Sequence, residues 1–158
     1  VTAWVAITDS NEKNGCMRMW SGSHKDDLKE HDQKFNEGNL LTRGQTVKNV
    51  PIKKTTPLVL EAGQMSLHHP TVVHGSDLNK SNDRRIGFVI QSYIGTDVKQ
   101  VLGENGVQLA RGFDEFNYHK TVDRPKSLMD KNDLKVKKQE NENLQKIFYA
   151  GSQQKGEY

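Results

Sequence analysis

Three histidines, His68, His69 and His74, fall within seven residues of HHPTVVHGSDLNKSNDRRIGF (68–88). They precede Gly75-Ser76-Asp77, and two adjacent arginines, Arg84 and Arg85, open the next apolar run. A neutral imidazole is the commonest side-chain ligand of catalytic transition metals, and two histidines with one carboxylate leave one face of a metal open for chemistry. A carboxylate-bearing cosubstrate in such a site needs a fixed cation. The planar guanidinium suits that task because it binds both oxygens and stays charged. His74 and Arg85 are eleven residues apart. A strand, a turn over 75–83 and a second strand would bring both side chains into one cavity. Neighbouring strand residues face opposite ways, so at most one arginine enters, and the spacing selects Arg85. By the same rule one of His68 and His69 faces inward, although neither is taken as a ligand.

The elements that must position these groups are short. VTAWVAIT (1–8) alternates and is rich in β-branched residues, which predicts a strand. DSNEKNG (9–15) is dense in turn formers, CMRMW (16–20) resumes the alternation, and 1–20 is expected to be a hairpin with a long loop. SGSHK (21–25) ends it. The polar stretch 26–45 reads as a surface lid or excursion, with room for a short helix. Strands are expected over 55–61, 65–69 and 85–94, with Pro70 as a breaker. Residues 98–116 match no period. Leu144, Ile147 and Phe148 sit at helical spacing and predict a helix over 137–150, with a lysine-rich solvated face. Residues 151–158 should fray. Five or six short strands before residue 94, and no long helix there, point to a mainly β jelly roll, sandwich or barrel. A core over 1–97 and a polar, partly helical extension over 98–158 follow.

Composition narrows the function classes. Apolar residues make up 33% of the 158 residues and charged ones 27%, so the core must be concentrated in a few segments. With 23 basic and 20 acidic residues, the net charge is too small and too evenly spread to argue for nucleic acid. No apolar run approaches membrane-spanning length. One cysteine, Cys16, excludes an internal disulfide and a cysteine-based zinc site, and fits a reducing compartment such as the cytoplasm. It reads as a small buried residue without an activating partner.

Two stretches, VTAWVAITDSNEKNGCMRMWSGSHK (1–25) and LEAGQMSLHHPTVVHGSDLNKSNDRRIGFVIQSY (60–93), resemble the phytanoyl-CoA dioxygenase family of iron(II)- and 2-oxoglutarate-dependent oxygenases. The resemblance implies a double-stranded β-helix, a cupin-like jelly roll. It implies that His74 is the distal metal ligand and that Arg85 pairs with the far carboxylate of 2-oxoglutarate. Ser76 would help hold that carboxylate, and Trp4 would line the cosubstrate pocket. The implied cofactors are Fe(II) and 2-oxoglutarate. The implied reaction decarboxylates 2-oxoglutarate and hydroxylates a small organic substrate.

The family's His-x-Asp pair belongs upstream of the TAWVA strand, and no His-x-Asp or His-x-Glu occurs in the chain; His31-Asp32 is adjacent rather than spaced. The chain therefore reads as the C-terminal part of such an oxygenase, expected to bind iron weakly alone. A jelly roll lacking its first strands would expose a sheet edge and could pair with a second copy. Two other readings stand beside the oxygenase. One is a non-catalytic jelly-roll binding or structural protein. The other is a related halogenase, in which chloride replaces the carboxylate and the upstream motif reads His-x-Ala or His-x-Gly.

Overall fold

A computed structural model describes residues 1–33, 41, 45–90 and 93–151. They fall into two compact units: the first holds those of 1–39 and 44–93, the second those of 40–43 and 94–158. The first is mainly β. Its strands are β1 (Thr2–Ala6), β2 (Met17–Trp20), β3 (His31–Gln33), β4 (Gln45–Val47), β5 (Thr55–Pro57), β6 (Met65–His68), β7 (His74–Ser76) and β8 (Gly87–Ile90). They form two three-stranded antiparallel sheets, ordered β6-β1-β8 and β5-β2-β7, and a β3-β4 ladder. This is the double-stranded β-helix class expected from the sequence.

Alternation decides which residues enter the core. On β1, Trp4 and Ala6 share a face, and they meet Met17 of β2 in a buried cluster against which Met19, Leu58 and Leu60 pack. The two sheets thus join through side chains of both central strands. The register puts Ser66 opposite Trp4 and His68 opposite Thr2, so both belong to this inward face. Met65 and Leu67 of β6 and Phe88 of β8 lie on the other face and are exposed. Burial of so few large side chains fits the lean composition.

The structure corrects several expectations. Residues 1–20 are not a hairpin: β1 and β2 lie in different sheets. The intervening loop is held by its own amides instead. Asn11 N–H donates to Asn14 Oδ1, Asn14 N–H to Asn11 Oδ1, and the buried Asn14 Nδ2 donates to the Asp9 carbonyl. Such local side-chain bonds compete with a tight turn and let the chain cross between sheets. Gly75 and Ser76, expected in a turn, are paired with Arg18 and Met17 of β2. The arginine strand starts later than expected, at Gly87. Ile86 donates its N–H to the Thr8 side chain rather than to a ladder.

Of the 26–45 excursion, the described part holds a strand, β3, paired with β4; the short helix expected within it would lie outside the described residues, as would most of the fraying tail at 151–158. Gln91 and Ser92, in the expected 85–94 strand, also fall outside.

In the second unit the helix α1 spans Lys131–Phe148 and starts six residues before the expected position. Asp130 caps it, accepting from the N–H groups of Asn132 and Asp133. A single capping carboxylate satisfies two of the orphan donors of a helix start, a signal that apolar spacing does not carry. Residues 98–116 hold no helix or strand, only the isolated bridge from Val107 to Thr121. Glu140 of α1 accepts from Gly106 N–H at 2.6 Å and lies 3.7 Å from Lys120, which ties the helix to that irregular segment. Among the described residues no helix is long and apolar enough to cross a membrane.

The tightest packing constraint is Gly87, where an added Cβ would overlap the Trp4 indole. Gly87→Ala should therefore destabilise the fold by about 1–3 kcal/mol through overpacking. Gly75→Ala, at a strand position with nothing within 4 Å of the new Cβ, should stay within about 0.5 kcal/mol of the parent. Urea unfolding of the two variants checks the contrast.

Candidate metal and cosubstrate site

His74 opens β7 and Ser76 closes it. The strand is held in place at its entry. Val73 N–H donates to the buried Ser23 Oγ at 2.8 Å, and Trp20 N–H donates to the Val73 carbonyl at 2.9 Å. The GSHK loop therefore serves the histidine strand through its serine. His24 of that loop stacks on His69 at 5.5 Å between ring centres.

The His74 ring has a defined tautomer. Its Nδ1 lies 2.9 Å from the Val72 carbonyl, and a carbonyl only accepts, so Nδ1 carries the proton. Nε2 is left bare and makes no hydrogen bond among the described residues. A backbone carbonyl on the far nitrogen is the usual partner that orients a metal-binding histidine.

Arg85 bridges the two sheets. Its Nη2 donates to Ser76 Oγ at 3.2 Å, and its guanidinium carbon lies 5.8 Å from the centre of the Trp4 ring. Stacking on an indole face suits a guanidinium, whose faces are weakly hydrated. Because Ser76 Oγ receives that bond, its own proton remains available to another acceptor. Arg85 is half-buried, whereas Arg84 is exposed and contributes its carbonyl to Thr8. Of the two arginines, the spacing had selected the one that turns inward.

All four residues singled out from the sequence thus lie close together: His74 and Ser76 on one strand, Arg85 on Ser76, and Trp4 beneath Arg85. His68 joins them. Its ring centre is 5.3 Å from that of His74, and its Nδ1 lies 3.3 Å from Ser66 Oγ. Burial, and then the charge that His74 can carry, hold the His68 pKa below the usual histidine value, which favours the neutral ring. Among the described residues no three histidine, cysteine, aspartate or glutamate side chains gather as a metal cluster. Cys16 is 2% exposed, and burial pushes its thiol pKa up, so it is an inert packing group.

Sequence reading had missed the residue that sets Arg85. Thr8 Oγ1 donates to the Arg84 carbonyl at 2.9 Å and accepts from Ile86 N–H at 2.9 Å. One hydroxyl thus clamps the backbone on both sides of Arg85. The loop from β7 to Arg85 is braced internally by Asn79. Its Nδ2 donates to the Asp83 carbonyl, and its Oδ1 accepts from the N–H and hydroxyl of Ser81. Lys80 N–H donates across to the Lys13 carbonyl, which ties this loop to the 9–15 crossing. The available signals were the alternation on β1, which gives Thr8 the parity of Trp4 and Ala6, and a glycine inside a strand pattern at 87, which marks close approach of another group.

The phytanoyl-CoA dioxygenase (PhyH) family profile matches residues 1–87, more than half of the chain, and the chain belongs to that family. It is similar to the human peroxisomal phytanoyl-CoA dioxygenase, 34% identical over 86 residues that cover 54% of this chain and 25% of that protein. A probable alpha-ketoglutarate-dependent hypophosphite dioxygenase of Stutzerimonas stutzeri is 28% identical over 106 residues, covering 65% of this chain and 36% of that protein. Among solved structures, the apo form of the non-heme monooxygenase ThoJ superposes with a TM-score of 0.77 at 30% identity, over 92% of this chain and 52% of the ThoJ chain. The chain thus spans about a quarter of the human relative's length and about half of ThoJ.

Replacing Thr8 by valine removes both hydrogen bonds around Arg85 and leaves Arg84 O and Ile86 N–H without that partner. The expected loss is about 1–3 kcal/mol. Thr8→Ser, which keeps the hydroxyl, should recover most of it. Chemical denaturation of the pair measures both.

Proposed function

We propose that this chain carries the cosubstrate clamp and one metal ligand of an iron(II)- and 2-oxoglutarate-dependent oxygenase that hydroxylates a small organic substrate. The observation that carries the reading is the Arg85 arrangement: a half-buried guanidinium over the Trp4 ring and hydrogen-bonded to the Oγ of Ser76, which shares its strand with His74. Membership of the PhyH family supports it, as do the activities named for the relatives.

The residues present fit part of the implied metal site. His74 offers a bare Nε2 whose opposite nitrogen is held by a carbonyl, while no cluster of three or more donor side chains is found among the described residues. When bound, iron(II) supplies the oxygen activation that couples decarboxylation of 2-oxoglutarate to hydroxylation. The chain's own residues bind and orient. Arg85 would hold the far carboxylate of 2-oxoglutarate, a group that a planar guanidinium suits. Ser76 donates its free hydroxyl proton to the same carboxylate. Trp4 forms an apolar wall that keeps water away from the ion pair, which strengthens it. The substrates named for the relatives, phytanoyl-CoA and hypophosphite, differ so widely that only the cosubstrate end of the site is shared chemistry.

The test is titration of 2-oxoglutarate into the protein with iron(II) under anaerobic conditions. Arg85→Ala should bind at least about tenfold more weakly, equivalent to about 1.4 kcal/mol or more. Arg85→Lys should also lose affinity, because a point charge cannot reproduce the guanidinium fork. Equal affinity in the parent and Arg85→Ala would refute the clamp and turn attention to Arg84.

A further inference from the structure

We infer that the crossing segment 8–15 is a positioning element of the cosubstrate clamp: Thr8 and Gly15 set the affinity of Arg85 for its dicarboxylate by fixing the backbone on which Arg85 stands. The inference rests on the proposed role of Arg85 and adds what holds that residue in place.

Three observations carry it. First, Thr8 engages the chain on both sides of Arg85. Its Oγ1 donates to the Arg84 carbonyl and accepts from Ile86 N–H. Its own N–H donates to the Ile86 carbonyl at 3.2 Å, an oxygen that Ile7 N–H also reaches at 2.9 Å. Ile86 is thus held at amide and carbonyl by one short run of chain. The β1–β8 register begins only at Gly87, so Arg85 stands outside the ladder and depends on these bonds.

Second, the other end of the crossing seats the start of the connection that leads from Ser76 to Arg85. Gly15 is buried with a φ of +76°, and a Cβ built on it would lie 2.5 Å from the Asp77 carbonyl oxygen and 3.2 Å from both Asn79 N and Leu78 C. All three are backbone atoms, which cannot swing aside as the end of a side chain can. Two residues earlier, the Lys13 carbonyl accepts from Lys80 N–H at 3.0 Å. Residues 77–80 are themselves exposed, and the crossing is what they rest on.

Third, the position being held is one where a small slip has a large effect. Arg84 and Arg85 are adjacent, and only Arg85 turns inward to Ser76. A one-residue slip would exchange the two, and β8 pairs with β1 over only four residues. The crossing grips both ends of the connection, 77–80 through Gly15 and Lys13 and 84–86 through Thr8. Residues that act on a binding group through such a chain of contacts change affinity by about two- to thirtyfold.

The experiment measures 2-oxoglutarate affinity in the iron(II)-loaded 158-residue chain under anaerobic conditions. Thr8→Val and Gly15→Ala should each bind at least about threefold more weakly, and Thr8→Ser should bind like the parent. Gly63→Ala is the control for backbone strain: its φ is +88°, but nothing lies within 4 Å of the new Cβ, so affinity should be unchanged. In an Arg85→Ala background, Thr8→Val should cause no further loss, because a positioning residue has nothing left to position. A measurement on the parent alone does not depend on any variant folding. Saturating 2-oxoglutarate should slow hydrogen exchange at the Ile86 and Lys80 amides more than at the Lys48 amide, which bonds to Glu30 beside the β3-β4 ladder.

Parent-like affinity in Thr8→Val and Gly15→Ala, with Arg85→Ala weakened, would overturn the inference and leave the Arg85 assignment standing. So would an undiminished effect of Thr8→Val in the Arg85→Ala background, or exchange at Ile86 and Lys80 that ignores the ligand. Indifference to Arg85→Ala, or no binding by the parent, would bring down the clamp itself and this inference with it.

Discussion

The Trp4 indole lies where it does because residue 87 has no side chain. A Cβ at Gly87 would occupy the space of the ring, and on that absence the inner surface depends. The indole fills the gap between the two sheets together with Ala6 and Met17. Its face also supports the Arg85 guanidinium. A cation half-buried at a sheet junction needs either a carboxylate partner or an environment that tolerates it. Here an aromatic face and a serine hydroxyl fill that role, and among the described residues no carboxylate forms a salt bridge with the guanidinium. The packing requirement of the core and the binding requirement of the site therefore meet at one glycine.

Around that contact the chain uses single side chains to fix pieces of backbone that no ladder holds. Thr8 grips the carbonyl before Arg85 and the amide after it. Ser23 takes the amide just before His74. Asn79 closes the loop that joins the two. Each bond contributes about 1 kcal/mol, little beside the whole, yet each constrains a residue whose direction matters. Short strands explain why such ties are needed. β7 has three residues and β8 four, too few to set orientation by ladder bonds alone. Polar clamps of this sort suit a mainly β unit with a lean core, since they specify position without demanding more apolar bulk.

How much of this was legible in the sequence follows from what each signal measures. Alternation located β1, β2 and β6, because burial on one face imposes a period of two. It could not say which strands pair, so residues 1–20 read as a hairpin although β1 and β2 lie in separate sheets. The amide network of Asn11 and Asn14, which makes the crossing, looks like an ordinary turn in composition. The strand that carries His74 was expected to end there, because Gly75 and Ser76 are turn formers by propensity, and only pairing with β2 holds them extended. The cap at Asp130 moved the start of α1 for a similar reason: polar helix turns carry no apolar period. Among the site residues, parity admitted at most one of the two arginines and the spacing from His74 selected Arg85, whose side chain is half-buried while Arg84 is exposed. Thr8 stayed hidden because its partners are backbone atoms 76 and 78 residues away.

The histidines show where residue type stops being informative. Within 68–74 the chain places three imidazoles that differ in nothing the sequence can display. Their chemistry separates at the second residue along the chain. His74 meets the carbonyl of Val72, which accepts a proton and exposes Nε2. His69 meets the amide of Thr71, which donates one and consigns the ring proton to Nε2. Backbone direction decides between these cases, and it is set by strand geometry: β7 turns the Val72 carbonyl toward the His74 ring, whereas the turn after Pro70 presents Thr71 N–H to His69. A ligand is therefore made by its far nitrogen. A bare Nε2 arises where the fold supplies an acceptor behind the ring, and of His69 and His74 only His74 has one.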